Sequence, residues 1–190
     1  MVLIGSGALT LAAVLILRLP AFDSSGTGYG VSSGGYTIRV EGKSDIGVAK
    51  VATKDDVTRA LGANAQSVND PQLGSAVNFN SSRGQTLTYD FTDKNGHRAH
   101  IYVDMTIFDN QSALNALNIS SGTTKAQAIN GHAAYYMQPW TLGSEHQDRL
   151  LVVNGLKMYK FIMSQSSENL SMDSVAARAT LIRLAQKAQL

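Results

Sequence analysis

Residues 86–105 read TLTYDFTDKNGHRAHIYVDM, two alternating runs joined at Asn95-Gly96. An Asn-Gly pair between period-2 segments marks a β-hairpin turn, because both residues tolerate the positive φ that tight hairpins demand. A two-residue loop would set Phe91 opposite His100 and Leu87 opposite Asp104, placing apolar against polar side chains along both strands. A one-residue slip moves every side chain to the other face, so that register is rejected. A three-residue loop of Lys94, Asn95 and Gly96, with Gly96 left-handed, pairs Leu87 with Val103, Tyr89 with Ile101 and Phe91 with Ala99. One face is then wholly apolar. The other carries Thr86 opposite Asp104, Thr88 opposite Tyr102 and Asp90 opposite His100, a solvated surface with one favourable charge pair.

Upstream, Tyr36, Ile38 and Val40 alternate with polar residues and predict a strand, with Ile46, Val48 and Val51 as a second strand pairing with it. Thr53 is the expected cap of a helix with Asp55 and Asp56 in its first turn, Val57, Ala60 and Leu61 facing inward and Gly62 ending it. Downstream, Asp109 or Asn110 caps a short helix with Ala113, Leu114 and Leu117 as its apolar stripe. It ends within residues 120–124. Residues 126–137 read as a strand interrupted at Asn130-Gly131, and residues 150–163 as a hairpin about Asn154-Gly155. In that hairpin Leu150, Val152, Tyr159 and Phe161 lie on one side and Leu151, Val153, Leu156 and Met158 on the other, the pattern of a sheet covered on both faces. Residues 172–190 form a helix capped by Ser171, with Ala177, Leu181, Leu184 and Ala188 on one stripe. The order of elements predicts an α+β fold, a mainly antiparallel sheet packed with helices, preceded by one N-terminal transmembrane helix.

That N-terminal helix is read from Val2 to Leu17, where every residue is apolar or small before Arg18. At about 1.5 Å per residue the run covers about 24 Å, and Leu19 to Phe22 with a snorkelling Arg18 extend it towards a roughly 30 Å hydrocarbon core. It lacks the basic start and nearby small-residue cleavage site of a signal peptide, so an uncleaved anchor is favoured over residues 1–22. Residues 23–35, DSSGTGYGVSSGG, read as a Gly/Ser tether, and residues 36–190 as the folded domain. Gly26, Gly28 and Gly30 fall in this tether rather than in a phosphate-binding loop.

The chain of 190 residues has 16 Lys and Arg against 14 Asp and Glu, and no Cys. The basic residues are spread along the chain with no run that could line a phosphate backbone, which argues against nucleic acid. Lack of Cys removes disulfides, thiolate metal sites and a thiol nucleophile. Ser, Thr and Asn supply 43 positions, so neutral hydrogen-bonding groups dominate the surface, as suits a domain outside the cytoplasm.

Few residues suggest chemistry. His97 and His100 form an H-x-x-H, yet positions i and i+3 of a strand point to opposite faces, so a shared metal ion is not expected and His100 is assigned to a cross-strand pair with Asp90. His132 and His146 stand in turn-rich contexts and read as solvated. Asn80, Asn110, Asn118 and Asn169 open N-x-S sequons expected by chance in so Asn- and Ser-rich a chain. The densest aromatic cluster, Tyr135, Tyr136 and Trp140, is the candidate surface for a ligand or partner, because aromatics that bury large areas dominate recognition.

Residues 55–57 through Leu61-Gly62, the stretch 129–135 (INGHAAY) and the 151–161 hairpin resemble, in kind and order, the small bacterial extracytoplasmic lipoprotein domains with a PsbP-like α+β sandwich. The resemblance covers most of residues 53–190 and departs in lacking the lipid-bearing cysteine, with the apolar segment in its place. It implies a binding or accessory role in the cell envelope rather than a reaction. The expected function is therefore a membrane-anchored extracytoplasmic binding module, not an enzyme, without cofactor or metal. Its expected partners are the membrane and an envelope protein or small apolar ligand. The alternatives are a pilin-like structural subunit of a surface appendage and a hydrolase using His100 and Asp90.

Overall fold

Residues 30–33, 36–42 and 44–190 are described by a computed structural model. Strands β1 (Gly30–Ser33) and β2 (Tyr36–Gly42) form one end of the sheet, and a 3-10 turn over Val48–Lys50 leads into helix α1 (Lys54–Leu61). Then follow β3 (Ala65–Val68), β4 (Gln72–Leu73), β5 (Ala76–Phe79), β6 (Ser82–Asp93) and β7 (Arg98–Phe108). Helix α2 (Gln111–Asn115), β8 (Thr123–Lys125), β9 (Ala133–Leu142), β10 (Glu145–Asn154), β11 (Lys157–Ser166) and helix α3 (Ser174–Lys187) complete the order. The fold is α+β, and its strand pairs are antiparallel, in the order β1-β2-β5-β6-β7-β11-β10-β9-β8 with β3 and β4 also on β6. Long β6 takes β5, β4 and β3 end to end along one edge and β7 along the other.

The β6–β7 register is the one argued from the sequence: Leu87 faces Val103, Tyr89 Ile101, Phe91 Ala99 and Asp90 His100. Gly96 sits at φ +84° and its N–H donates to Asp93 O at 3.0 Å, closing the three-residue loop. The apolar face of this hairpin joins Leu150 and Val152 of β10 and Tyr159, Phe161 and Met163 of β11 in a continuous core. Helices α1 and α3 seal it with Val57, Ala60 and Leu61 and with Ala177, Leu181, Leu184 and Ala188. Thr53 and Asp56 form the reciprocal capping box of α1, and Gly62 at φ +56° ends it. The last turn of α1 is tied to α3, since the Arg183 guanidinium donates to Ala60 O at 2.8 and 3.1 Å.

Four expectations are corrected. Residues 46–51 do not pair with β2; Val48 and Val51 are buried through the 3-10 turn, and β2 pairs with β5 and β1. Strand β1 falls within the stretch read as tether. Residues 126–137 are not one strand but two arms turning at Asn130 (φ +51°) and Gly131 (φ +83°), with β8 antiparallel to β9. Asp173, not Ser171, caps α3, accepting from Ala176 N at 2.8 Å. Met172 is held by two bonds to the Gln165 side chain, which keep the chain out of the helix until Asp173. The anchor expected over residues 1–22 lies outside the described residues, among which no helix is long and apolar enough to cross a membrane.

The hairpin loop also sets an acid limb to stability. Asp93 is buried, which opposes ionisation, but backbone N–H groups of His97 and Asn95 both donate to its Oδ1 at 2.8 Å and its pKa is lowered overall. The Thr53 hydroxyl does the same for Asp56. A carboxylate whose folded pKa lies below its unfolded value stabilises the protein above that unfolded value and loses the contribution as pH falls through the folded pKa. The thermal midpoint should therefore fall as pH drops below the ordinary value of 3.8, with a shallower fall in Asp93→Asn. Parallel melting curves for the two proteins between pH 7 and pH 2.5 would contradict this role.

Candidate functional site

The face of the sheet opposite α1 and α3 carries the polar positions of β6 and β7. Cross-strand pairing lines up its side chains: Asp90 faces His100, His100 faces Ser164, Ser164 faces Gln147 and Gln147 faces Trp140. Five strands, β6, β7, β11, β10 and β9, thus contribute one residue each to a single row. At about 4.8 Å per strand step the row spans roughly 19 Å. The next row holds Thr88, Tyr102, Ile162, Arg149 and Met137.

Trp140 reaches this face through a local irregularity. The β9–β10 register shifts between Gln147 and Arg149, whose partners Trp140 and Met137 are three residues apart. The extra residue falls at Gln138-Pro139, where Pro tolerates a bulge because it has no N–H to lose. Without it Trp140 would share the side of Tyr136.

At the β7 end an open depression of about 220 Å³ is lined by Arg98, His100, Tyr102, Ser144, Glu145, Ser164, Gln165 and Ser166. Its two reactive groups are held from behind. Asp90 Oδ1 lies 2.8 Å from His100 Nδ1, a contact that directs Nε2 as the ring's other hydrogen-bonding atom. Ser164 Oγ and Gln147 Nε2 donate to Glu145 Oε1 at 2.6 and 2.9 Å. Ser164 and Gln147 are 1% and 4% exposed, so this carboxylate oxygen is fixed by buried donors. Between them the Tyr102 ring stacks on His100 with centroids 5.9 Å apart. Burial first, then the negative charges of Glu145, Asp90 and Asp104, push the Tyr102 hydroxyl up to about 12, so it remains a protonated donor at neutral pH. Further along β7, Asp104 accepts from Thr86 Oγ1 at 2.8 Å and pairs with Lys160 at 3.3 Å. The site therefore offers a fixed carboxylate, an oriented imidazole, a phenol and a guanidinium around one small opening.

The three aromatics expected to act together are divided by the sheet. Tyr135 faces Leu151 and Trp140 faces Gln147, on the depression side. Tyr136 faces Leu150 on the core side, with the Arg178 guanidinium 5.1 Å from its ring centroid. The structure brings Trp140 into line with His100 and Asp90, and leaves Tyr136 with the core. His97 and His100 separate as expected: His97 Nδ1 lies 3.3 Å from Asp93 Oδ2, whereas His100 meets Asp90. Among the described residues no three His, Asp or Glu side chains converge to hold a metal ion. Residues 30–34 spell G-x-S-x-G, but its serine lies on β1, which is followed by β2 rather than by the strand-to-helix turn of a nucleophile elbow.

His146 is not a solvated residue. It lies on the core side of β10, its Nε2 3.1 Å from Asp148 Oδ2 and 3.3 Å from Ser174 Oγ, its Nδ1 3.1 Å from Thr141 Oγ1. The Asp148 side chain is fully buried and accepts from Ser174 Oγ at 3.2 Å. Ser174 and Asp148 share the same imidazole nitrogen, so this is not the Ser-His-Asp relay of hydrolases, in which the two flank the ring. The cluster pins the first turn of α3 to β10. The sequence signal was available: His146 and Asp148 are in phase with Leu150 and Val152, hence on the apolar face.

No known protein-family model matches the chain, and no curated protein matches it.

Proposed function

We propose that this chain is a binding or accessory module of the cell envelope, held to a membrane by its N-terminal apolar segment, with the folded domain outside the cytoplasm. The observation that carries this reading is the asymmetry of the sheet. One face is sealed by α1 and α3, while the other presents Trp140, His100, Tyr102 and Glu145 around an open depression. Buried polar side chains that hold Glu145 in place have a use where a ligand is held. They otherwise cost desolvation for little return. The reading also takes up the resemblance of residues 53–190 to small PsbP-like envelope domains. The reading involves no cofactor and no catalysis.

Trp140→Ala should abolish capture of the ligand or partner while changing stability by less than about 1 kcal/mol, as for a partly exposed side chain outside the main core. Thermal melting beside crosslinking in intact cells separates the two effects. A stability loss as large as that of a core truncation would assign Trp140 to packing. Proteolysis of right-side-out cells carrying a C-terminal tag checks location: loss of the tag agrees with an external domain, and protection would remove the envelope role.

The 2.8 Å contact between His100 and Asp90 favours one second reading, a hydrolase with His100 as general base. It requires turnover of an ester or glycoside that disappears in His100→Ala, and a His100→Ala protein with unchanged activity would dismiss it.

A further inference from the structure

The depression differs in character from an apolar ligand pocket. At about 220 Å³ it is smaller than the roughly 300–1,000 Å³ usual for drug-sized ligands. Its named lining is Arg98, His100, Tyr102, Glu145, Gln165 and three serines, with no aliphatic side chain. A positive and a negative group both face it, and among the described residues no ion pair joins Arg98 to Glu145. Net charge on a ligand would be attracted by one and repelled by the other. A neutral ligand bearing many groups that both donate and accept would satisfy both, together with the phenol, imidazole and serine hydroxyls. Hydroxyl groups have that property.

The opening is also one end of something longer. Glu145 is coupled through Gln147 to the β10 position beside Trp140, so the fixed carboxylate and the indole belong to neighbouring places on the same face. An indole offers a flat apolar surface with a polar edge, suited to the C–H face of a ring whose rim is hydroxylated. From His100 on β7 to Trp140 on β9 the row crosses three strand steps, roughly 14 Å, over a floor of buried Ser164 and Gln147, longer than one sugar ring.

We propose that this face binds an uncharged, hydroxyl-rich oligosaccharide, one sugar ring seated between Glu145, His100 and Tyr102 and the following rings crossing β11 and β10 to stack on Trp140. In this arrangement Glu145 Oε2 accepts from a pair of neighbouring hydroxyls while Oε1 stays with Ser164 and Gln147. Arg98, the Tyr102 hydroxyl and His100 Nε2 supply the facing hydrogen bonds. The inference rests on the reading of this face as a binding surface and adds the chemistry of what is bound.

Trp140 is the chain's one tryptophan, so its fluorescence reports occupancy directly. The full chain, held in a sugar-free zwitterionic detergent, is titrated with N-acetylglucosamine tetrasaccharide and with maltotetraose, and with tetragalacturonate as the charged counterpart; calorimetry repeats each titration. The expected result is a saturable fluorescence change with at least one neutral tetrasaccharide. Glu145→Gln should weaken that affinity at least tenfold with an unchanged melting temperature, because the amide keeps the oxygen fixed by Ser164 and Gln147. Arg98→Ala, at an exposed position, should weaken it by a smaller factor. Silence with both neutral sugars in both measurements, or binding indifferent to Glu145→Gln and Arg98→Ala alike, overturns the proposal. Saturable binding of tetragalacturonate alone, or a photocrosslinker at position 140 capturing an envelope protein while the sugars stay silent, ends the neutral-glycan inference but keeps the binding module. Failure of every probe and of the crosslink removes both.

Discussion

Phe161→Ala will lower unfolding free energy by about 3–5 kcal/mol, the range for truncating a buried Phe where the surroundings cannot collapse into the space. The residue has no exposed surface and is flanked across the sheet by Leu150 on one strand and Val103 on the other. Helices α1 and α3 close the same core above it. For a chain of this size each kcal/mol moves the melting temperature by roughly 2–4 °C, so a fall on the order of 10 °C is expected. A drop of only a degree or two would mean that the β11–α3 contact is not the centre of the fold.

The second large effect belongs to Asp148. Its side chain is fully buried, takes the Ser174 hydroxyl, faces His146 Nε2 at 3.1 Å and lies 3.8 Å from Arg178 Nε. Removing one partner of a buried polar cluster leaves the others uncompensated, at roughly 3–5 kcal/mol for a tight pair. Arg178 is 36% exposed, so solvent already screens it, and about 2–3 kcal/mol is expected for Asp148→Ala. Asp148→Asn should cost less, since the amide oxygen can still accept from Ser174. Denaturant titration of the two variants checks the order, and equal losses would show that the charge, not the hydrogen bond, holds α3 to β10.

The sequence was most legible where local chemistry and period agree. Strict alternation on both sides of Asn95-Gly96 left one acceptable register for β6 and β7, and with it the Asp90–His100 pair. The capping box at Thr53 and the glycine at position 62 likewise bounded α1 from local residues alone. What could not be read was long-range choice. Val48 and Val51 are apolar and buried, but through a 3-10 turn packed on the sheet rather than a strand, whose i and i+3 positions would point to opposite faces, and nothing local decides which strand β2 joins. The candidate site was half visible for a similar reason. Trp140 and the His100–Asp90 pair were each singled out, yet nothing in the sequence shows the bulge at Gln138-Pro139 that turns the indole towards them, so closeness along the chain grouped Trp140 with Tyr135 and Tyr136, which the sheet divides. Glu145, Gln147 and Ser164 carried no signal of their own, because their meaning lies in meeting across β10 and β11.

The central claim is that the far face of the sheet, and not the helical face, meets the ligand. A photoreactive phenylalanine analogue placed at Trp140, or at Val175 on α3 where the side chain is 78% exposed, tests it in intact cells. Illumination should give discrete adducts with an envelope component from position 140 and none from position 175. The same adducts from both positions, or adducts from position 175 alone, would contradict it.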